Sequence, residues 1–60
     1  EAIEAYSKAI KINSSFAEAY FNRGVTYLYL KNSKKACSDF SKAGELGVQE
    51  AYKLVKEYCR

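Results

Sequence analysis

Apolar positions recur along this chain with the period of an α-helix. Near the start, Ala2, Tyr6, Ala9 and Ile10 fall at i, i+4, i+7 and i+8, one face of an amphipathic helix running from about Glu1 to Lys11. The pattern breaks at Asn13-Ser14-Ser15. Ser15-Phe16-Ala17-Glu18 then matches a capping box, in which the Ser oxygen accepts the third helical amide and the Glu reaches back to the cap. A second helix is therefore expected from about Phe16 to about Leu30. Lys31-Asn32-Ser33 interrupts it, and Asn or Ser there suits the N-cap of a third helix running to Leu46. Gly47 is a natural helix stop, and a fourth helix is expected from Val48 towards Arg60, with Tyr52, Val55 and Cys59 on one face. Short connections force neighbouring helices to be antiparallel, so the fold class is all-α, built from helical hairpins.

The pattern also repeats. Displaced by 34 residues, Ala2 falls on Ala36, Tyr6 on Phe40, and Ser7-Lys8-Ala9 on Ser41-Lys42-Ala43. The second and fourth helices match as well, Glu18-Ala19-Tyr20 on Glu50-Ala51-Tyr52, after a two-residue contraction. Two helices, each written twice, are the mark of stacked supersecondary units.

The residues at fixed slots of this repeat resemble the tetratricopeptide repeat (TPR) family. Tyr20, Gly24 and Tyr27 stand in the Trp, Gly and Tyr slots of that pattern, Ala36 and Phe40 in its A-x3-F slots, and Ala43 in the small-residue slot that follows. Arg23 replaces the family's Leu, Ser14 and Val48 replace Pro, and the fourth helix puts Lys56 in the Gly slot and Cys59 in the Tyr slot. The resemblance implies antiparallel hairpins stacked as a right-handed solenoid fragment, a single unit over residues 1–60. Residues 1–13 would be the second helix of a truncated repeat, 15–47 one complete repeat, and 48–60 a terminal capping helix. A Gly in mid-helix costs about 1 kcal/mol unless another helix closes on it, so Gly24 is expected against a neighbouring helix. Tyr20, Tyr27, Phe40 and Ala43 are expected to be buried together.

The family's first helices line a concave groove that binds peptides or partner helices. By slot, the groove residues are Glu18, Phe21, Asn22, Val25, Leu28 and Tyr29, joined on the last helix by Lys53 and Glu57, with Arg60 on the same face. Phe21, Val25 and Leu28 lie within an arc of about 60°, a quarter-turn from the Tyr20, Gly24, Tyr27 face. The second helix is thus apolar on two faces. That supports either a hydrophobic groove for a partner or packing against neighbouring repeats. Asn22 resembles the Asn of repeats that grip carboxylate tails, but the Lys and Asn such a clamp needs on neighbouring helices are missing. Lys53 and Glu57 also read as an i,i+4 pair on a solvated face.

Composition narrows the function classes. Ten Lys and Arg are interspersed with seven Asp and Glu, so the net charge of +3 forms no basic stripe of the kind nucleic acid requires. No apolar run approaches the roughly 18 to 20 residues of a membrane span. There is no His, no phosphate loop and no carboxylate pair on one face, so no catalytic residue, metal ligand or cofactor is expected. Cys37 and Cys59 lack metal or redox spacing and are expected as free, buried thiols. No signal peptide is legible, leaving compartment unread with an intracellular setting favoured. The expectation is a non-enzymatic scaffold binding a protein or peptide. Its alternatives are a structural end of a solenoid, self-associating as a homo-oligomer through the face of the first helix, and, less favoured, an RNA-binding helical repeat.

Overall fold

The computed structural model describes residues 2–59; Glu1 and Arg60, which bound the expected first and fourth helices, lie outside them. Four helices follow in order: α1 (Ala2–Ile12), α2 (Ala17–Tyr29), α3 (Ser33–Glu45) and α4 (Gln49–Tyr58). Each packs on the next, α1 on α2, α2 on α3 and α3 on α4. The result is a slab of 30 × 24 × 13 Å, about one helix layer thick in its shortest dimension.

Turn chemistry sets this order. The Asn32 side chain accepts from the Lys35 amide at 3.3 Å and so caps α3. At the end of α2, the Asn32 amide donates to the Tyr27 carbonyl (2.8 Å) and the Lys31 amide to the Leu28 carbonyl (2.9 Å), with Lys31 left-handed at φ 61°. The end of α3 repeats the arrangement, Val48 donating to Ala43 (3.0 Å) and Gly47 to Gly44 (3.1 Å), with Gly47 at φ 114°. Both are Schellman stops, which satisfy carbonyls that the helix end would leave bare. The capping box does not form. Phe16 occupies the N-cap of α2 without a side-chain bond, while the Ser15 amide donates to Asn13 Oδ1 at 3.1 Å. The Asn13 turn claims the backbone that the box needed.

The core is small. Ala36, Phe40, Ala43 and Ala51 form a buried cluster in which Phe40, at 0% exposure, is the one large side chain wholly enclosed among the described residues. Tyr20, Tyr27, Phe21, Leu28, Val48, Leu54 and Val55 pack against it and stay half-buried. Phe40 and Ala43 are thus buried as expected, but Tyr20 and Tyr27 are only half-buried, packed against the core on one side and beside the part-exposed Arg23 guanidinium on the other.

Gly24 carries the expected close approach. A Cβ built on it would lie 2.7 Å from Phe40 Cε1 and 2.9 Å from Cδ1. The α3–α4 contact repeats the device, since a Cβ on Gly44 would lie 2.9 Å from the Tyr52 ring. By contrast α1 has no buried residue: Ala2 is exposed, and Tyr6, Ala9 and Ile10 are half-covered. No described helix is long and apolar enough to cross a membrane.

Cys37 and Cys59 are not free. They form a disulfide between α3 and the end of α4, with Cα atoms 5.8 Å apart, inside the range that the bond's geometry allows. Both lie at similar distances along the chain from the Gly47 turn, so an antiparallel hairpin brings them together.

Two stability outcomes follow. Gly24→Ala should lower stability by about 1 kcal/mol or more despite the better helix propensity of Ala, because the enclosed Phe40 ring has no room to yield; adding Phe40→Leu should recover part of that loss relative to Phe40→Leu alone. Lys31→Gly should raise stability by roughly 0.5–1 kcal/mol by relieving the left-handed conformation. Thermal melts of the variants measure both.

Candidate functional site

The expected groove residues separate by depth. Phe21 and Leu28 pack against the core, the Phe21 ring lying 5.7 Å from that of Phe40 at 53°. One helical turn along, Val25 is 43% exposed and Tyr29 88% exposed. Glu18 is exposed and Asn22 half-buried. The Asn22 carbonyl accepts from Thr26 Oγ1 at 3.0 Å, while its side chain makes no hydrogen bond to another described residue. On α4, Lys53 and Glu57 are both exposed, but the ion pairs among the described residues are Arg23–Asp39 and Lys42–Glu45, so the Lys53–Glu57 pair is not formed. In water such a pair contributes only about 0.3–0.5 kcal/mol, too little to hold two flexible side chains together.

Beside this surface lies a polar cluster that the sequence pattern did not signal. The Arg23 Nε donates to Asp39 Oδ2 and its Nη2 to Oδ1, both at 2.8 Å, a bidentate fork. The Arg23 Nη1 donates to Ser7 Oγ at 3.1 Å. One guanidinium therefore ties α1, α2 and α3. Asp39 is only 4% exposed, directly before Phe40 in sequence. Tyr20 and Tyr27 place their rings 5.6 and 6.0 Å from the guanidinium carbon, and the Lys35 ammonium lies 5.6 Å from Tyr27. Hydrogen bonds to Asp39 raise the Arg23 pKa above its already high ordinary value, outweighing the opposing effect of partial burial. Arg23 therefore stays charged at any working pH. The only available signal was Arg23 itself, a charge in a slot where the repeat pattern has Leu.

The fold thus combines stacked hairpins, a small residue under an aromatic from the next helix, and an exposed strip on the first helix of the pair. Residues 1–31 match the profile described as TPR repeat, and residues 17–47 the one described as tetratricopeptide repeat. The chain belongs to the tetratricopeptide repeat family. Among curated proteins, it is 49% identical over 45 residues to dynein axonemal assembly factor 4 of Rattus norvegicus, covering 75% of this chain and 11% of that protein. It is 44% identical over 46 residues to the UDP-N-acetylglucosamine–peptide N-acetylglucosaminyltransferase of Giardia intestinalis, covering 77% of this chain and 3% of that protein. A DnaJ homolog subfamily C member 3 homolog of Dictyostelium discoideum is 38% identical over 45 residues, 75% of this chain and 9% of that protein. No solved structure matches the chain significantly. The chain thus spans only about a tenth, or less, of the length of these relatives. What the relatives share with it is the TPR segment, whose general role is binding protein partners and which is generally a non-catalytic scaffold.

Asp39→Asn keeps the shape but removes the charge, and should destabilise by roughly 2–4 kcal/mol by leaving Arg23 without its counter-ion. Arg23→Leu with Asp39→Leu removes both desolvated charges, and should lie within about 1 kcal/mol of the parent chain. Urea unfolding of the single and double variants gives both numbers; a double variant as weak as the single would show that the pair stabilises outright.

Proposed function

We propose that this TPR segment binds an extended or helical segment of a protein partner on the outward face of α2, with α4 forming one wall. The observation that carries this reading is Tyr29 at 88% exposure, in line with half-exposed Val25 over a floor of Phe21 and Leu28. Large, exposed aromatic and branched side chains on one helix face are the anchors that peptide-binding surfaces use. Glu18, Asn22, Lys53 and Glu57 provide polar groups at the rim. Opposite charges, Glu57 and Lys53, give that wall a direction along which a charged peptide can be oriented. Chemistry is no part of the reading: the groove holds neither a nucleophile with an adjacent base nor donors aimed at a developing anion.

The test is a selection from a displayed peptide library against the chain, followed by mapping of amide shift changes for the peptides recovered. Shift changes centred on Val25, Tyr29 and Lys53 support the groove, and changes centred on α3 overturn it. Tyr29→Ala should weaken such a peptide by about tenfold or more while shifting stability by less than about 0.5 kcal/mol, as expected for a surface side chain. A Tyr29→Ala variant that unfolds would mark Tyr29 as structural.

A further inference from the structure

The Cys37–Cys59 disulfide sits where α4 is otherwise least secured. In α2, Gly24 receives the Phe40 ring and Tyr27 packs on the core; in α4 the matching slots hold exposed Lys56 and Cys59 itself. What remains is Ala51, fully buried, with Leu54 and Val55 half-covered and Tyr52 seated on Gly44. Ala51 and Tyr52 lie in the first half of a ten-residue helix and Leu54 and Val55 just past its middle, and a helix that short is marginal without tertiary support. The last turn, from Lys56 onward, is exposed up to the disulfide.

The bond is also reachable. Cys37 and Cys59 are both partly exposed and, with Ser33, Lys34 and Tyr58, line an open depression of about 310 Å³. A lysine on the wall favours the thiolate formed when such a bond opens.

We infer that this disulfide is a redox-conditional lock on α4: oxidised, it holds the last turns of the helix on α3; reduced, it lets them open while α2 and α3 stay folded. The reductant is a small thiol. Its thiolate attacks one sulfur, forming a mixed disulfide and releasing the other cysteine as a thiol; a second reductant thiol then releases the first cysteine and leaves as the reductant disulfide. Two protein thiols replace one disulfide, and two reductant thiols become one disulfide. α4 carries Lys53 and Glu57, so a consequence for binding would rest on the groove reading above, whereas the lock itself does not.

Hydrogen exchange tests the lock without any ligand. The chain is measured oxidised and then in excess reduced glutathione, with thiol labelling to establish that the bond has opened in the native state. The expected result is exchange faster by roughly tenfold or more at the amides of Lys56 to Cys59, with protection at Phe40 and Ala43 retained. Unchanged exchange in α4 after complete reduction overturns the proposal, as does a bond that glutathione fails to open in the folded chain. Cys37→Ser with Cys59→Ser provides the second arm and should exchange like the reduced chain whether or not reductant is present. If that variant is unfolded throughout, the bond is a staple of the whole fold and the lock is refuted.

Discussion

Phe40 against Gly24 is the contact on which the rest of the structure depends. In a slab 13 Å thick, a single large side chain can be wholly enclosed, and it is enclosed only because α2 offers a bare backbone at the point of approach. The small residues around it, Ala36, Ala43 and Ala51, keep α3 close to both neighbours. Such close approach fixes how α2 is rotated. With Gly24 turned to α3, Val25 and Tyr29 lie about 100° and 140° round the helix from it and face outward, so one inward constraint determines which residues reach a partner.

The Arg23–Asp39 pair adds a second, directional constraint beside that contact. The close approach sets the rotation of α2, but apolar contact is non-directional and leaves small slides along the helix axis open. A bidentate fork does not, because both 2.8 Å bonds are made at one relative position of α2 and α3. Ser7 extends the constraint to α1, the helix with no buried residue of its own. Desolvation offsets much of the attraction in such a pair, so its contribution lies more in register than in net stability. Tyr20 and Tyr27 serve both layers, packing against the core and holding their rings beside the guanidinium.

Helix order, hairpin topology and the Gly24 contact were legible in the sequence because each is encoded locally: 3.6-residue periodicity, turn residues, and a Gly that a helix interior would otherwise disfavour. Depth was not. Tyr20 and Tyr27 are large and apolar enough to be core residues, and their half-burial beside the Arg23 guanidinium emerges only once the helices pack. Ser15 satisfied the pattern of a cap, but whether Asn13 or the cap wins the local backbone is a competition that a pattern does not rank. The disulfide was not legible, for a different reason. The spacing of its cysteines has no meaning along the chain and acquires one only after α3 and α4 fold back about Gly47. Of the groove residues, the periodicity placed Phe21, Val25 and Leu28 on one face, but packing divides them, with Phe21 and Leu28 against the core and Val25 turned out.

The two hairpin contacts also show one fastening problem met by different chemistry. α2 meets α3 through Phe40 on Gly24 and the adjacent Arg23 fork near its middle, with Tyr20 and Tyr27 packing on the core a turn to either side. α4 meets α3 through Tyr52 on Gly44 near its start and a covalent bond at its end. Lys56 in the slot of Gly24 closes the outer side of α4 to the kind of seat that Phe40 finds on α2, because a ring approaching there meets a side chain. The last turn of α4, Lys56 to Tyr58, is exposed, and a bond closing a loop of 22 residues, which contributes about 3 kcal/mol by chain entropy, adds to the packing of Leu54 and Val55 just before it. The interaction is thus strongest where the helix is otherwise least held, and it is the one contact in the fold whose strength depends on the solvent's redox state rather than on shape.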